Sequence, residues 1–211
     1  MQSYDRQRQG LAVSLACLAG YVDAVGFLSA GSYFVSFMSG NTTRLAVDLA
    51  TDWRTAVTPA LLIAGFVFGV ASGALVAIRS GQRRKPLVLG IVASLLICAA
   101  IADSIDQRTV SLAFLVMAMG ALNNTFQRDG EVTIGLTYMT GALVRLGQAI
   151  GAALAGERRS GWGGYLLLWA GLALGALGGA LASMHWSAMA TWLAAFAATG
   201  LALLAGKLKS A

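Results

Sequence analysis

A carboxylate and two side-chain amides lie inside apolar segments, where polar groups are costly to bury. Asp23 falls within the apolar stretch 11–29, and an ionised carboxylate at membrane depth costs at least ~2.5–3.5 kcal/mol on insertion scales. That cost is offset by a partner, by a water-filled cavity or by protonation. We predict that Asp23 is a proton-coupling or substrate-binding carboxylate, with Asn123 and Asn124 as its polar counterparts in a later segment. The alternative is a structural hydrogen bond, or an ion pair with a nearby arginine.

Two hydroxyl–glycine turns precede short helical patterns that carry an arginine. The turn residues are Ser39, Gly40 and Asn41 in the first pattern, and Thr140 and Gly141 in the second. A hydroxyl or an Asn can cap the free N–H groups of a helix start, and Gly allows a sharp turn. If both starts lie at membrane depth, their N–H groups form an anion-binding site together with Arg44 and Arg145. Alternatively, each short helix rests at the membrane interface and its arginine reaches the lipid phosphates.

These turns belong to an internal repeat. Residues 37–46 align without a gap with residues 138–147, and an aromatic residue, Met, a hydroxyl, Gly, Arg and Leu coincide. Upstream, residues 20–23 correspond to residues 120–123. Because the pairings occur in the same order in both halves, the sequence predicts a duplication.

Two rows of glycine at every fourth position form a third pairing between the halves. The rows are Gly65, Gly69 and Gly73 in the first half, and Gly171, Gly175 and Gly179 in the second. Small residues at this spacing let two helices approach closely in lipid, where van der Waals contact replaces the hydrophobic drive. We therefore interpret both rows as helix-packing faces and not as binding residues.

The composition requires that these residues lie in a membrane protein. Of 211 residues, 57% are apolar and only 11% are charged, whereas a soluble domain has about 25% charged residues. With so few charges, a soluble protein of this size could not cover its own surface. The apolar residues come in long blocks, which is typical of membrane-spanning α-helices. This excludes an ordinary soluble protein and a disordered one.

Six apolar stretches are long enough to span a bilayer, and two shorter segments are helical in pattern but charged. The spans are 11–29, 55–78, 87–102, 109–126, 162–183 and 187–206, and the short segments are 41–51 and 142–155. We interpret the short segments as re-entrant or interfacial helices. Each half, 1–106 and 107–211, then holds three spans. Because three is odd, the second half enters the membrane from the opposite side, as in the inverted-topology repeats of many secondary transporters.

The basic residues indicate the orientation in the membrane. They cluster in four segments that fall on one side if six helices span: Arg6 and Arg8; Arg79, Arg83, Arg84 and Lys85; Arg128, Arg158 and Arg159; and Lys207 and Lys209. The sequence therefore predicts that both termini are cytoplasmic. The net charge of +6 is scattered between apolar blocks, so we interpret it as an orientation signal and expect no nucleic-acid partner.

Side chains for metal or enzyme chemistry are scarce. His185 is the single histidine, and Cys17 and Cys98 lie in apolar stretches, where cysteines act as small hydrophobes. The sequence contains no Gly-x-Ser-x-Gly, His-Glu-x-x-His or Cys-x-x-Cys motif of the kind that hydrolases, metalloproteases and redox proteins use. We therefore expect no metal site, no cofactor and no enzymatic activity.

Two blocks in the first half resemble a known family. They are Gly-Tyr-Val-Asp-Ala-Val-Gly-Phe at 20–27 and Phe-Val-Ser-Phe-Met-Ser-Gly-Asn-Thr at 34–42. This pattern resembles the signature of the YoaK family, a domain-of-unknown-function family of bacterial multi-pass inner-membrane proteins, and the resemblance extends over essentially the whole chain. It implies the bacterial inner membrane and a family motif that includes Asp23 and Asn41 together with Gly40, and it implies no substrate. Ala142 stands at the second-half position that matches Asn41, so the two sides of a quasi-symmetric site would not be chemically equal.

Together these features predict an all-α integral membrane protein with about six transmembrane helices and two short re-entrant or interfacial helices, arranged as a 3+3 inverted-topology repeat. As its function we predict secondary transport of a small polar or anionic solute, coupled to protons through Asp23, at a midplane site between the halves. The alternatives are a passive channel of the same architecture and a non-transporting membrane scaffold or sensor. The expected partners are the lipid bilayer and a small-molecule solute, and the sequence leaves open whether the chain forms a homodimer.

Overall fold

The computed structural model describes residues 6–128, 131–132, 135–137, 139–157 and 162–207. In this part of the chain the helices are α1 (Arg6–Ser29), α2 (Met38–Thr51), α3 (Val57–Ser80), α4 (Arg84–Ser104), α5 (Arg108–Leu122), α6 (Met139–Leu154), α7 (Trp162–His185) and α8 (Ser187–Lys207). A 3₁₀ turn at Gly81–Arg83 joins α3 to α4. Two short strands, β1 (Gln127–Arg128) and β2 (Glu131–Val132), pair antiparallel. The helical architecture is confirmed, and this small hairpin is an addition that the sequence analysis did not predict.

Among the described residues, five helices are long and apolar enough to cross a bilayer: α1, α3, α4, α7 and α8. They match five of the six predicted spans, and α4 is longer than the predicted 87–102. Their outward faces carry large apolar side chains, such as Ile78 at 79% exposure and Leu203 at 67%. Apolar surface of this extent requires lipid around it. The prediction of a multi-pass membrane protein is therefore confirmed.

The helix in the predicted span 109–126 ends before the span does. Helix α5 ends at Leu122, and its 15 residues cover about 22 Å at a rise of 1.5 Å per residue, short of a hydrocarbon core of ~30 Å. The helix ends because side chains that follow it bond to its last carbonyl groups. Asn123 Nδ2 donates to the Met119 carbonyl, and Thr125 Oγ1 donates to the Leu122 carbonyl. These bonds satisfy carbonyls that would otherwise lack partners in the bundle interior.

The two short helices begin earlier than predicted, at Met38 for α2 and at Met139 for α6. The predicted turn residues therefore lie inside the first turn of each helix: Ser39, Gly40, Asn41, Thr140 and Gly141. The N-cap residue of α2 is Phe37, and no side chain caps that helix start. The predicted cap by Ser39 or Asn41 is wrong because the Asn41 amide bonds instead to the segment that precedes the helix.

The long helices pack in pairs that join the two halves of the chain. Helix α1 packs on α7, α3 packs on α5, and α4 packs on both α5 and α8. Helix α1 also contacts α5 and α8, and within the halves α3 contacts α4 and α7 contacts α8. The short helices α2 and α6 lie against α3 and α7. The core draws most of its residues from α1, α4 and α5, where Leu15, Leu89, Leu96 and Met119 are enclosed.

Glycines let the paired helices come into backbone contact. A Cβ atom on Gly175 in α7 would overlap the carbonyl oxygen of Cys17 in α1. Likewise, a Cβ atom on Gly69 in α3 would overlap the carbonyl oxygen of Met117 in α5. The other glycines of the two rows also face the partner segment: Gly65, Gly73, Gly171 and Gly179. Both rows therefore lie at interfaces between one half of the chain and the other.

Some residues used in the sequence analysis lie outside the described residues: Tyr138, Arg158, Arg159 and Lys209. The basic clusters at the N-terminal end of α1 and between α3 and α4 lie within them, as does Lys207 at the end of α8. In the second half of the repeat alignment, residues 138–147, the structure therefore describes Met139 and the residues that follow it.

Candidate functional site

The first candidate site lies where α1 meets the first connector, residues 30–37, which joins α1 to α2. Asp23 Oδ1 accepts the backbone N–H groups of Val35 at 2.9 Å and Ser36 at 2.8 Å. Val35 is fully buried and lies against Gly26 of α1. The carboxylate thus fixes the connector to α1, and the two N–H donors offset the cost of its partial burial.

Asn41 fixes the other end of the first connector. Its side chain is fully buried and bonds to the backbone of Phe34: Oδ1 accepts the Phe34 N–H at 2.9 Å, and Nδ2 donates to the Phe34 carbonyl at 2.6 Å. Nδ2 also lies 3.7 Å from the Met38 sulfur. The rings of Phe34 and Phe37 meet edge to face at 5.3 Å and lie close to Gly40. The amide therefore satisfies backbone groups that no helix or strand satisfies, and it holds the first turn of α2 against the connector.

The second candidate site lies after α5, on the second connector, residues 123–138. Asn123 is buried, and its Oδ1 accepts a hydrogen bond from Thr137 Oγ1 at 3.2 Å. Asn124 is also buried, and its Nδ2 donates to the Val70 carbonyl of α3 at 3.0 Å and to the Ala121 carbonyl at 3.3 Å. In both halves a polar side chain thus binds the connector that follows: Asp23, in the last two turns of α1, and Asn123, directly after α5.

Each predicted anion-binding arginine contacts a tyrosine. The half-buried Arg44 lies over the ring of Tyr33 at 5.0 Å, and the exposed Arg145 lies over the ring of Tyr165 at 5.0 Å. Both contacts are cation–π interactions. Burial, followed by the Asp48 carboxylate, raises the pKa of the Tyr33 hydroxyl, which donates to Asp48 Oδ2 at 2.9 Å. Arg44 therefore forms a polar cluster with Tyr33 and Asp48, whereas Arg145 joins α6 to α7.

Three other predicted residues of the short helices face outward, whereas Gly40 faces the first connector. Ser39, Thr140 and Gly141 are exposed, and Gly40 is half-buried. A Cβ atom added at Gly141 would meet nothing within 4 Å. The structure thus groups only part of the predicted set: Asp23 and Asn41 bond to the first connector, and Asn123 and Asn124 lie on the second. Asp23 and its two predicted counterparts therefore have different bonding partners.

Two cavities lie between α1 and α8. One has a volume of about 620 Å³ and an apolar wall, to which α1, α7 and α8 contribute. The other has a volume of about 500 Å³ and a polar wall, which includes Asp103, Asp106, Arg108 and Thr191. Tyr21 lines the first cavity, and its hydroxyl donates to the Ala190 carbonyl, which belongs to the wall of the second, at 3.0 Å.

Comparison with known proteins gives the family. Residues 11–204 match the family model described as "Protein of unknown function (DUF1275)". The chain belongs to this family. The DUF1275 match covers every helix described above, from the second turn of α1 to the last turn of α8.

Two relatives of this DUF1275 chain are UPF0700 transmembrane proteins. The UPF0700 transmembrane protein RA0705 of Rhizobium meliloti (strain 1021) is 38% identical over 92% of this chain and 84% of its own length. The UPF0700 transmembrane protein YoaK of Bacillus subtilis (strain 168) is 26% identical over 67% of each chain. The predicted resemblance to the YoaK family is therefore confirmed, and so is the prediction that the chain is a transmembrane protein. No solved structure matches the chain.

The sequence analysis missed several polar residues that the structure groups together. Asp103 directly follows the predicted span 87–102, yet it lies in the last turn of α4 and accepts a hydrogen bond from Thr191 Oγ1 at 3.0 Å. Ser36, Thr125 and Thr137 carry no charge, and their burial depends on how the connectors fold back. A search for hydroxyl groups near predicted helix ends would have marked these three residues and Thr191.

Proposed function

We propose that the chain is a small secondary transporter for a polar or anionic solute, built from two inverted repeats that comprise residues 1–106 and 107–211. The observation that carries this proposal is the packing of the helices. We pair each helix of α1–α4 with the helix at the same place in α5–α8, so that α1 corresponds to α5 and α4 to α8. When the members of each pair are exchanged, every helix contact described above becomes a contact that is also observed. This is the pattern expected of a duplicated unit.

The glycine contacts support the same exchange at the level of single residues. A Cβ atom on Gly20 in α1 would overlap the carbonyl oxygen of Leu172 in α7. A Cβ atom on the corresponding Gly120 in α5 would overlap the carbonyl oxygen of Phe66 in α3. The contact of Gly175 with Cys17 and the contact of Gly69 with Met117 are related in the same way. Equivalent backbone atoms therefore meet in the two interfaces.

The proposed topology has six crossings, formed by α1, α3 and α4 in one repeat and by α5, α7 and α8 in the other. Helix α5 is short, so we propose that it crosses together with residues 123–126, all of which are buried. Backbone without regular structure is tolerated at membrane depth where protein covers it. Six crossings place both termini on the side of the basic clusters, the cytoplasmic side of a bacterial inner membrane.

One difference between the equivalent interfaces favours a transporter over a rigid scaffold. Helices α4 and α5 pack together, whereas the two cavities described above lie along the equivalent helices α1 and α8. In an inverted-repeat transporter one side is open while the other is closed, and the two arrangements exchange as the halves rock. We propose that the described conformation is open along α1 and α8.

Asp23 is the proposed proton carrier. Its carboxylate accepts two N–H groups of the first connector, and protonation would weaken both charge-assisted bonds. Release of the connector would then allow α1 and α2 to move relative to each other. The residues proposed to contact the solute or to couple its movement are Asp23, Ser39, Gly40, Asn41, Arg44, Asn123, Asn124, Thr140, Gly141 and Arg145.

Transport can be measured with the full chain in proteoliposomes that contain a pH-sensitive dye and have an imposed proton gradient. Lactate, succinate and L-alanine serve as probes of anionic and zwitterionic solutes. We expect at least one of them to collapse the gradient faster than in protein-free liposomes. Asp23→Asn should abolish this coupling. The control is Asp52→Asn, which changes an exposed carboxylate in the turn after α2 and should leave the coupling unchanged.

Three results would contradict parts of the proposal. Unchanged proton-coupled uptake in Asp23→Asn would remove Asp23 from the mechanism. Uptake that is independent of the gradient in the unmodified protein would favour the passive channel. The absence of uptake for every probe would favour a scaffold or sensor.

The scaffold is a second candidate because of one observation. The hydrogen bonds of the Asp23 carboxylate and the Asn41 amide run to the backbone of the first connector, which is what a structural role requires. In that case Asp23→Asn would lower the thermal stability of the purified protein, with no transport to lose.

A further inference from the structure

The polar cavity of about 500 Å³ lies apart from the connector sites, at one end of the bundle. The C-terminal ends of α1, α4 and α7 and the N-terminal ends of α5 and α8 meet there. Its volume falls in the range of about 300–1,000 Å³ that is typical of small-molecule sites. Neither the predicted site residues nor the proposed proton carrier line it.

The walls of this cavity carry charges of both signs. Asp103, which is half-buried, and the exposed Asp106 supply two carboxylates, and the exposed Arg108 supplies a guanidinium group. Asp103 uses Oδ2 to accept the Thr191 hydroxyl. The acidic groups exceed the basic group by one, so the cavity favours a ligand with a cationic group and also offers a partner for an anionic one.

One wall residue has an unsatisfied polar atom. The hydroxyl oxygen of Ser183 is buried and has no hydrogen-bond partner among the described residues. A buried hydroxyl without a partner costs free energy that a bound molecule can recover. The remaining wall is partly apolar, with Val25 and Leu28 from α1 and Ala188 from α8, and this surface suits an aliphatic group.

We propose that this cavity binds a small zwitterion of the α-amino-acid type. Its ammonium group lies near Asp103 and Asp106, its carboxylate lies near Arg108, and its aliphatic part lies against Val25 and Leu28. The proposal does not rest on transport, because a transporter, a channel or a sensor could each bind such a ligand.

Binding to the full-length protein in detergent can be measured by isothermal titration calorimetry with three probes of one carbon skeleton. L-leucine carries both charges, isoamylamine lacks the carboxylate, and 4-methylpentanoate lacks the ammonium group. We expect L-leucine to bind at least about ten-fold more tightly than either analogue, because each charged group lost removes a charge-assisted hydrogen bond.

Variants assign the two ends of the ligand. Asp103→Asn keeps an acceptor for Thr191 and should weaken L-leucine binding about ten-fold while leaving 4-methylpentanoate unaffected. Arg108→Gln should weaken L-leucine binding to a similar degree and leave isoamylamine unaffected. Asp106→Asn is a second acidic variant whose backbone, with φ of 56°, suits Asn. The matched control is Asp52→Asn, an exposed carboxylate that does not line the cavity.

Ser183→Ala separates a binding role from a structural one. Because the hydroxyl has no partner, its removal should leave the thermal stability unchanged or slightly higher, while L-leucine binding weakens. The proposal is overturned if L-leucine does not bind, if isoamylamine binds as tightly as L-leucine, or if folded Asp103→Asn and Arg108→Gln proteins bind L-leucine as the unmodified protein does.

Discussion

Asn41 makes the clearest prediction for a single residue, because both ends of its amide bond to the backbone of Phe34. Asn41→Ala removes both bonds and leaves polar groups of the connector without partners, at about 1–3 kcal/mol for each buried group. We expect a lower thermal unfolding midpoint, measured by tryptophan fluorescence in detergent. Thr43→Ala, on the exposed face of α2, is the control and should change the midpoint little. Equal midpoints for both variants would show that the first connector does not depend on Asn41.

The chemistry of Asp23 and Asn41 could be suspected from sequence, but their partners could not. A carboxylate inside an apolar helix is anomalous wherever it points. The groups that it contacts, the backbone N–H groups of Val35 and Ser36, belong to every sequence and carry no signal of their own. Only the return of the connector along α1 brings them to the carboxylate.

At the scale of helix pairs, the glycine rows can be tested directly. Gly175→Ala and Gly69→Ala each place a methyl group against a carbonyl oxygen of the partner helix. Overpacking of this kind costs about 1–3 kcal/mol, so we expect lower thermal stability for both variants. The controls are Gly90→Ala and Gly200→Ala, because a Cβ atom at either position meets nothing within 4 Å.

The two controls should be neutral or slightly stabilising, since Ala is the better helix former. If Gly175→Ala and Gly69→Ala melt at the same temperature as the controls, the close backbone approach is not present in the membrane protein. A loss for Gly175→Ala alone would mean that the two equivalent interfaces differ in strength.

Tyr21 provides a prediction for the contact between α1 and α8. Its hydroxyl donates to the Ala190 carbonyl across the two helices, so Tyr21→Phe should cost about 0.5–1.5 kcal/mol. Faster hydrogen exchange is expected in the first two turns of α8. Tyr165→Phe is the control, because Tyr165 holds Arg145 through its ring face. Unchanged exchange in Tyr21→Phe would mean that this bond does not hold the helices together.

At the scale of the whole molecule, the number of crossings decides the orientation of the termini. Cysteine labelling in intact cells tests it, with Cys17 and Cys98 first replaced by Ala. With six crossings, single cysteines at Arg6 and Lys207 should be labelled from the cytoplasmic side, and one at Ile105, in the exposed turn after α4, from the opposite side. With five crossings, Arg6 and Lys207 would lie on opposite sides.

This measurement also bears on the role of α5. If α5 crosses together with residues 123–126, the cysteines that replace Arg6 and Lys207 should be labelled from the same side. Labelling from opposite sides would contradict the inverted repeat, because two repeats of equal topology and odd span number require an even total.

The sequence by itself determined the class of protein, because composition and block length follow from the cost of exposing apolar side chains to water and need no knowledge of contacts. It also showed both glycine rows, and it predicted a duplication that stays a prediction, since these are patterns along the chain. Tertiary structure decided what Asp23 binds, and that Asp103 and Thr191 share a cavity wall. These features depend on groups distant in sequence that meet only when connectors and helix ends pack. Hydrogen bonds have short range, so their partners are set by the folded arrangement and not by composition.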